Sequence, residues 1–587
     1  MSSEPRRLLT AHFLRRLIDD DLISPNADRH ESLSMFGAML VSLGLFVSVL
    51  VSTKYLFNPY LTPAVAALSA LFDRFMFTAA AMTATALVTL LVWDGLAIDA
   101  RDASVLGAMP IRTRTIVAAK FSALVRFAAM FAGALNLAPS LITPWLMASK
   151  LPLSFVQLVL LILAHAAVVT MASAFGFFAV LAIRGLLQAV LGRTLFTRIA
   201  PAVQAALLVS VACAFLLLPV VASRVSRTWL EPQSRAAMMA PPLWFVGLQE
   251  MMVGNILVDL PRPRRLPARI AEADARATQL YRGARPLFPS LAITAAVKLT
   301  AVTVLAVLLF AWNNRRMVAP PPVAAGAAWL RRAIAAVARG VIRHPETQAS
   351  FFFTLQAVLR SPQHRLTTAA SLAFGLTAGV FAVAVGSATT RGTADAFAAG
   401  ILAVQPVLLT ALLAGFRHAV RMPAELAANW AVQVAWRGDT RPHIAGAKAA
   451  GALLFIAVPV LALVPFYWVM FTPPEALAIA LCGLAGGAVV LEAIFLGYRK
   501  LPFACGYLPG DVKTIGPIAF AAFVFFTYQF SHLELAALRT GGAPTFAVLL
   551  TGAFATLRAV DAYRRRHPRP FEFDEMPEPP TQRLGLS

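Results

Sequence analysis

His165, Lys298 and Glu492 are ionisable side chains placed well inside long apolar runs of this sequence. A charged group at bilayer depth costs roughly 2.5 to 3.5 kcal/mol on insertion scales, so one that is kept usually faces a bundle interior or water. Lys298 could line a pathway or form an ion pair, although a lysine also snorkels, carrying its ammonium to the headgroups on its methylene stem. His165, near the middle of its run, is either a pathway residue or a packed, hydrogen-bonded histidine. Glu492, near the end of its run, is expected to pair with Arg499 or Lys500. No apolar run places an Asp or Glu convincingly at mid-depth, which weighs against a carrier driven by protons or sodium. There is no zinc-spaced His/Glu cluster and no Gly-x-Ser-x-Gly elbow, so neither a metal site nor a catalytic residue is expected. Cys213, Cys482 and Cys505 have no ligand or CxxC spacing and predict no disulfide framework.

The elements that position these residues must lie in lipid. The 587-residue chain is 59% hydrophobic and only 13% charged, where a soluble chain carries about 25% charged residues; its mean hydropathy is +0.72. A helix needs about 20 apolar residues to cross the hydrocarbon core. Runs of that order cover 35–52, 75–93, 123–146, 153–183, 199–222 and 290–312, and then 366–385, 397–416, 449–471, 476–497, 515–530 and 544–560. Each must be helical, because an open strand would leave backbone amides unpaired in lipid. The expected fold is all-α and polytopic, with about twelve transmembrane helices.

The net charge of +23 could suggest nucleic acid, but the basic residues are scattered between apolar runs. They read as topology signals, and no nucleic-acid partner is expected. With the N-terminus in the cytoplasm, the short outer loops hold only Lys54, Arg74, Lys150, Arg391 and Arg539. Both termini are therefore expected inside, with the chain multi-pass in the plasma (inner) membrane. The stretch from Arg224 to Arg285 is basic yet placed outside, as a long loop can be. Within it, 238–260 is expected to be a re-entrant or interface-lying helical element containing Pro241, Pro242, Trp244 and Glu250.

The two halves echo each other. Ser24-Pro25 is followed by Ser32-Leu33 and Phe36-Gly37, and Ser361-Pro362 by Ser371-Leu372 and Phe374-Gly375. Before each Ser-Pro lies an amphipathic stretch, with Phe13, Leu14, Leu17 and Ile18 in one copy and Phe352, Phe353, Leu355 and Leu359 in the other. After the second run of each half comes a charged segment. One holds Asp99, Arg101, Asp102, Pro110, Arg112, Arg114 and Lys120, the other Arg421, Pro423, Glu425, Trp430, Arg437, Asp439, Arg441 and Lys448. This order predicts two parallel six-helix repeats, each preceded by an amphipathic interfacial helix. The expected organisation is a cytoplasmic amphipathic helix in 1–34, a first half over 35–312 with its outer loop at 223–289, a linker with the second amphipathic helix over 313–365, a second half over 366–560, and a disordered cytoplasmic tail over 561–587.

A surface helix, a pair of spans, a charged cytoplasmic segment, three more spans and an outer re-entrant element before the sixth: this order resembles the membrane subunits of type-2 ABC exporters. The resemblance covers the whole chain and rests on architecture. It implies that the segment after the second span of each half is a coupling helix fitting a groove on an ATPase subunit. The coupling residues it implies are Asp99, Arg101, Asp102 and Leu106 in one half and Glu425, Leu426 and Trp430 in the other. The family's usual permease has six spans and pairs with a second copy, whereas this chain would supply both halves, the second without a long outer loop.

No phosphate-binding GxxxxGK[ST] loop occurs in the sequence, so ATP would be hydrolysed by ATP-binding cassette partner subunits, two copies being implied, and no cofactor is expected in this chain. Membrane lipid is the other expected partner. An ion-gradient-driven carrier is the alternative, since parallel six-span halves suit it equally; a non-transporting scaffold is a third. A lipid-linked glycosyltransferase would show acidic residues in its first outer loop, where only Asp73 beside Arg74 is offered.

Overall fold

The computed structural model describes residues 4–18, 29–58, 60–98, 100–151, 153–218, 235–254, 267–315, 336, 339–389, 394–423, 438–498, 500–504 and 515–565. Among these the structure is helical, without strands, and nine helices are long and apolar enough to cross a membrane. The chain is a multi-pass membrane protein. It divides into two compact units, Met1–Ala324 and Ala325–Ser587, and the division falls inside the expected linker.

Unit 1 runs α1 (Glu4–Ile18), α2 (Arg29–Phe57), α3 (Pro63–Leu91), α4 (Ala100–Gly107), α5 (Thr113–Ala148), α6 (Phe155–Leu216), α7 (Arg235–Met239), α8 (Pro241–Val253), α9 (Ala268–Ala284) and α10 (Phe288–Asn314). The start of α3 is set by Thr62, whose side chain accepts from the Val65 amide at 3.4 Å, with Pro63 pre-shaped for the first turn. The helix therefore begins well before the apolar run at Phe75. A capping box of Ser154 and Gln157 starts α6. At 1.5 Å per residue its 62 residues would form a rod of roughly 93 Å, about three times the hydrocarbon thickness. Gly192 breaks it with φ 68° and ψ 168°, a conformation that favours glycine. Two rods result, one for each of the apolar runs at 153–183 and 199–222.

Within unit 1, α1 packs on α5, α2 on α5, α3 on α6, and α10 on α6 and α8. Lipid supplies no hydrophobic drive between helices, so close approach depends on small residues. Gly176 of α6 lies where an added Cβ would sit 2.3 Å from the Met82 carbonyl oxygen of α3, and Gly44 of α2 is set in the same way against the Leu135 carbonyl of α5. Large apolar side chains such as Trp145, Phe155 and Val156 point outward, as lipid-facing residues would.

Unit 2 runs α11 (Pro345–Arg360), α12 (Pro362–Thr389), α13 (Ala394–Arg421), α14 (Arg441–Ala452), a π turn (Leu453–Ala457), α15 (Val458–Met470), α16 (Pro473–Phe495), α17 (Ile515–Arg539) and α18 (Ala543–Arg565). In it α11 packs on α14, α12 on α13, α13 on α16 and α17, and α16 on α18. The core is an aromatic and aliphatic cluster around Phe416, Phe455 and Phe495. The amphipathic character of α11 matches the sequence expectation, but its buried face differs. Phe351, Leu355 and Val358 are buried, whereas Phe353 and Leu359 are exposed.

Candidate functional site

The short helix α4 is held by two neighbours. Leu106 is buried with Phe13 of α1 and with Ile116, Ala119 and Ala123 of α5. Lys120 of α5 sets its ammonium 5.0 Å from the centre of the Phe13 ring. Asp102 is buried and accepts from Arg16 of α1. Arg6 donates to Ser122 at 3.1 Å, tying the other end of α1 to α5. The opposite face of this small assembly is left open: Val105 and Met109 are 57% and 45% exposed, beside exposed Arg112 and Arg114.

Asp102 and Leu106, read from the sequence as contact residues, thus hold α4 in place, and the outward positions are Val105 and Met109. Arg101 lies on α4, while Asp99, Glu425, Leu426 and Trp430 fall outside the described residues. With Arg16 partly exposed, the ion pair is expected to contribute little: Asp102→Asn should lower the unfolding free energy by at most about 1 kcal/mol. Leu106→Ala should cost about 2 to 3 kcal/mol through the cavity it leaves. Thermal unfolding of the two variants in detergent measures this difference.

A second cluster lies deep in unit 1. The adjacent residues Asp73 and Arg74 of α3 point about 100° apart around the helix and staple it to different neighbours. Asp73 accepts from Lys54 at 2.7 Å and from the Tyr55 hydroxyl at 2.5 Å, both on α2. Arg74, 1% exposed, pairs with Glu250 of α8 at 2.5 Å, and Tyr281 of α9 donates to the same carboxylate. One helical turn from Arg74, Phe77 meets His165 of α6 edge-on, with ring centroids 6.1 Å apart. The Gln249 side-chain amide lies 3.4 Å from His165 Nδ1, and among the described residues His165 Nε2 has no hydrogen-bond partner.

His165 is therefore a packed, hydrogen-bonded histidine at the edge of an ion-pair cluster. Asp73 and Arg74 are helical and buried, which corrects their placement in an outer loop. The 13-residue α8 spans only about 20 Å, and it packs against α3, α6 and α10. The stretch expected to be a re-entrant or interface-lying helical element thus forms, in its described part, a helix too short to span that packs on three others of the unit. Lys298 is on an exposed face of α10, away from this cluster.

In unit 2, Glu492 of α16 pairs with Lys448 of α14 at 2.6 Å and with Arg558 of α18 at 3.3 Å. Asp561 lies 3.6 Å from the same lysine. Of the expected partners, Arg499 lies outside the described residues; among the described residues Glu492 pairs with Lys448 and Arg558, which stand on other helices far away in sequence. Farther along the unit, Glu534 of α17 is 1% exposed, in a helix that continues past the apolar run ending at Phe530. Asp73 of α3 and Glu534 of α17 are buried carboxylates that lie just outside the apolar runs read from the sequence, and Glu250 is buried on the short α8. Among the described residues no group of His, Cys, Asp and Glu is arranged to hold a metal ion.

No family model, curated protein or solved structure matches the chain.

Proposed function

We propose that this protein is the transmembrane permease subunit of an ATP-driven ABC exporter, with two six-helix halves in one chain, coupled to separate ATPase subunits. The observation that carries the reading is α4. It is a short amphipathic helix locked between α1 and α5, presenting Val105, and just past its end Met109, to whatever lies beyond. An exposed apolar knob on a rigidly held helix suits a protein groove better than water. Force applied there would pass into α5 through the Leu106, Phe13 and Ile116 packing.

Helix pairings that recur in the two units support two such halves, while the first long helix packs on the third in unit 1 (α2 on α5) and on the second in unit 2 (α12 on α13). An amphipathic helix packs on the third long helix in each unit, α1 on α5 and α11 on α14; α3 packs on α6 as α13 does on α16, and α10 on α6 as α18 does on α16. Counting α6 as two spans and including α2 and α17 brings nine candidate spans to twelve. The charge bias then puts α4, both termini and the second coupling segment in the cytoplasm of a cell whose plasma membrane holds the protein. ATP binding and hydrolysis would belong to the partner subunits, and the outward transport of a substrate to the whole assembly.

Val105→Asp together with Met109→Asp tests this directly. Both positions are exposed, so the variant should fold like the unaltered protein. An ABC-type ATPase should co-purify with the unaltered protein and be lost from the variant. Stable purification with no ATPase, or an ATPase retained by the variant, would overturn the reading.

A further inference from the structure

Among the described residues, neither carboxylate oxygen of Glu534 has a hydrogen-bond partner. Cys482 and Tyr467 lie close enough to feel its charge, each is buried in an apolar cluster, and Phe530 stands one turn earlier on the same face of α17. A bare carboxylate in such a seat is far costlier than a neutralised one. The titratable neighbours, Tyr467 of α15 and Cys482 of α16, feel its charge but bring no positive charge of their own. No charged side chain acts on it from α13 or α18.

A second buried polar group of unit 2 is also short of a donor. Gln405 of α13, 1% exposed, gives its amide to the Ile479 carbonyl at 3.0 Å and leaves its side-chain oxygen unpartnered. The next residue, Pro406, has no N–H to offer the Leu402 carbonyl one turn back. The Tyr467 hydroxyl donates to the carbonyl of Ile401, one turn before Gln405 on α13, at 3.5 Å, and it feels the Glu534 charge. Gly483 makes the arrangement possible, because a Cβ there would lie 1.3 Å from the Gln405 side-chain nitrogen.

A pocket between α13, α16 and α17 adjoins these residues, lined by Pro406, Thr410, Gly483, Gly487, Phe526 and Phe530. Phe530 is on the same face of α17 as Glu534, one turn earlier. Thr410 also carries an unpartnered hydroxyl.

The unpartnered oxygens of Glu534 and Gln405 are all acceptors, and what completes such a set is a positive charge small enough to enter a tight, greasy space. We propose that Glu534, with the Gln405 side-chain oxygen, forms a binding site for a monovalent cation, a proton or a sodium ion, reached through the α13/α16/α17 pocket. The site is independent of the ATPase reading: it would couple ion occupancy to the packing of unit 2 whatever supplies the energy.

Infrared difference spectroscopy of the purified full-length protein, between acidic and alkaline buffers in H2O and D2O, tests for the proton. Thermal unfolding in sodium chloride against choline chloride tests for sodium. A protonated-carboxyl band that appears on acidification, shifts in D2O and is lost in Glu534→Gln identifies a proton site. A sodium-dependent rise in Tm that is lost in Glu534→Gln identifies a sodium site. If neither signal occurs in the unaltered protein, or if both persist in Glu534→Gln, the proposal is overturned. Should Glu534→Gln fail to fold, Gly483→Ala takes its place: by displacing Gln405 it should weaken the signal found, and an unchanged signal would count as the overturning result.

Discussion

Glu250→Ala is expected to destabilise the protein by about 3 to 5 kcal/mol, because it leaves the Arg74 guanidinium buried without its counter-charge. Arg74 is 1% exposed and Glu250 6%, so water cannot replace the missing partner as it would at a surface. Arg74→Ala should be as damaging for the mirror-image reason, and it also strands the carboxylate to which Tyr281 donates. The pair itself is a different matter. Two charges withdrawn from water recover little net energy, so Arg74→Met combined with Glu250→Leu should regain most of what either single change loses. Thermal midpoints of the three variants in one detergent form the required cycle. If the single changes behaved like ordinary surface substitutions, α8 would not be fastened to α3 through this contact.

How the cluster escapes a reading of the sequence is instructive. Hydropathy starts the second span at Phe75 because Asp73 and Arg74 interrupt the apolar run, yet the helix starts at Pro63. The signal was present in Thr62-Pro63, a capping residue followed by a proline at the first helical position. Glu534 was hidden in the same way. Ser531, His532 and Glu534 dilute the run after Phe530, while the helix continues to Arg539 and turns only at Gly541, where φ is 68°. Hydropathy measures preference for lipid, and a polar residue facing another helix lowers it without ending the helix. Helix-end chemistry is the better guide to length in such places.

Pairing is hidden more deeply. Glu492 has basic neighbours in sequence at Arg499 and Lys500, yet Lys448 and Arg558 from distant helices reach it, because helix packing decides which side chains share a space. The membrane character, the amphipathic α1 and α11 and the helical element at Pro241 were legible, since each rests on local composition or periodicity, whereas the short helix α4 was implied only by the resemblance. The division of roles within α4 was not legible. Asp102 and Leu106 attract attention as a charge and a leucine in a polar segment, but only the packing shows that both face inward and that Val105 and Met109 do not.

The contact between α3 and α6 should be the least forgiving place in unit 1. Gly176 of α6 sits against the backbone of α3, and a Cβ there would lie 2.3 Å from the Met82 carbonyl oxygen and 3.2 Å from its carbon. Neither atom belongs to a flexible side chain, so relief requires moving a helix. Two nearby hydrogen bonds resist that movement: Ser173 donates to the Ala81 carbonyl at 3.4 Å, and Asn136 donates to Ser173 at 3.0 Å. Gly176→Ala should therefore cost about 1 to 3 kcal/mol as overpacking, and Gly176→Leu should remove nearly all monodisperse protein from a detergent extract. Gly133 on α5 is the control, since nothing lies within 4 Å of a Cβ built there. Gly133→Ala should be neutral or stabilising by up to about 1 kcal/mol, because alanine loses less backbone freedom in a helix. Size-exclusion profiles and thermal midpoints of the three variants read the contrast. Equal behaviour of Gly176→Ala and Gly133→Ala would mean that α3 and α6 are not in backbone contact, and the route by which Arg74, His165 and α8 are brought together would have to be redrawn.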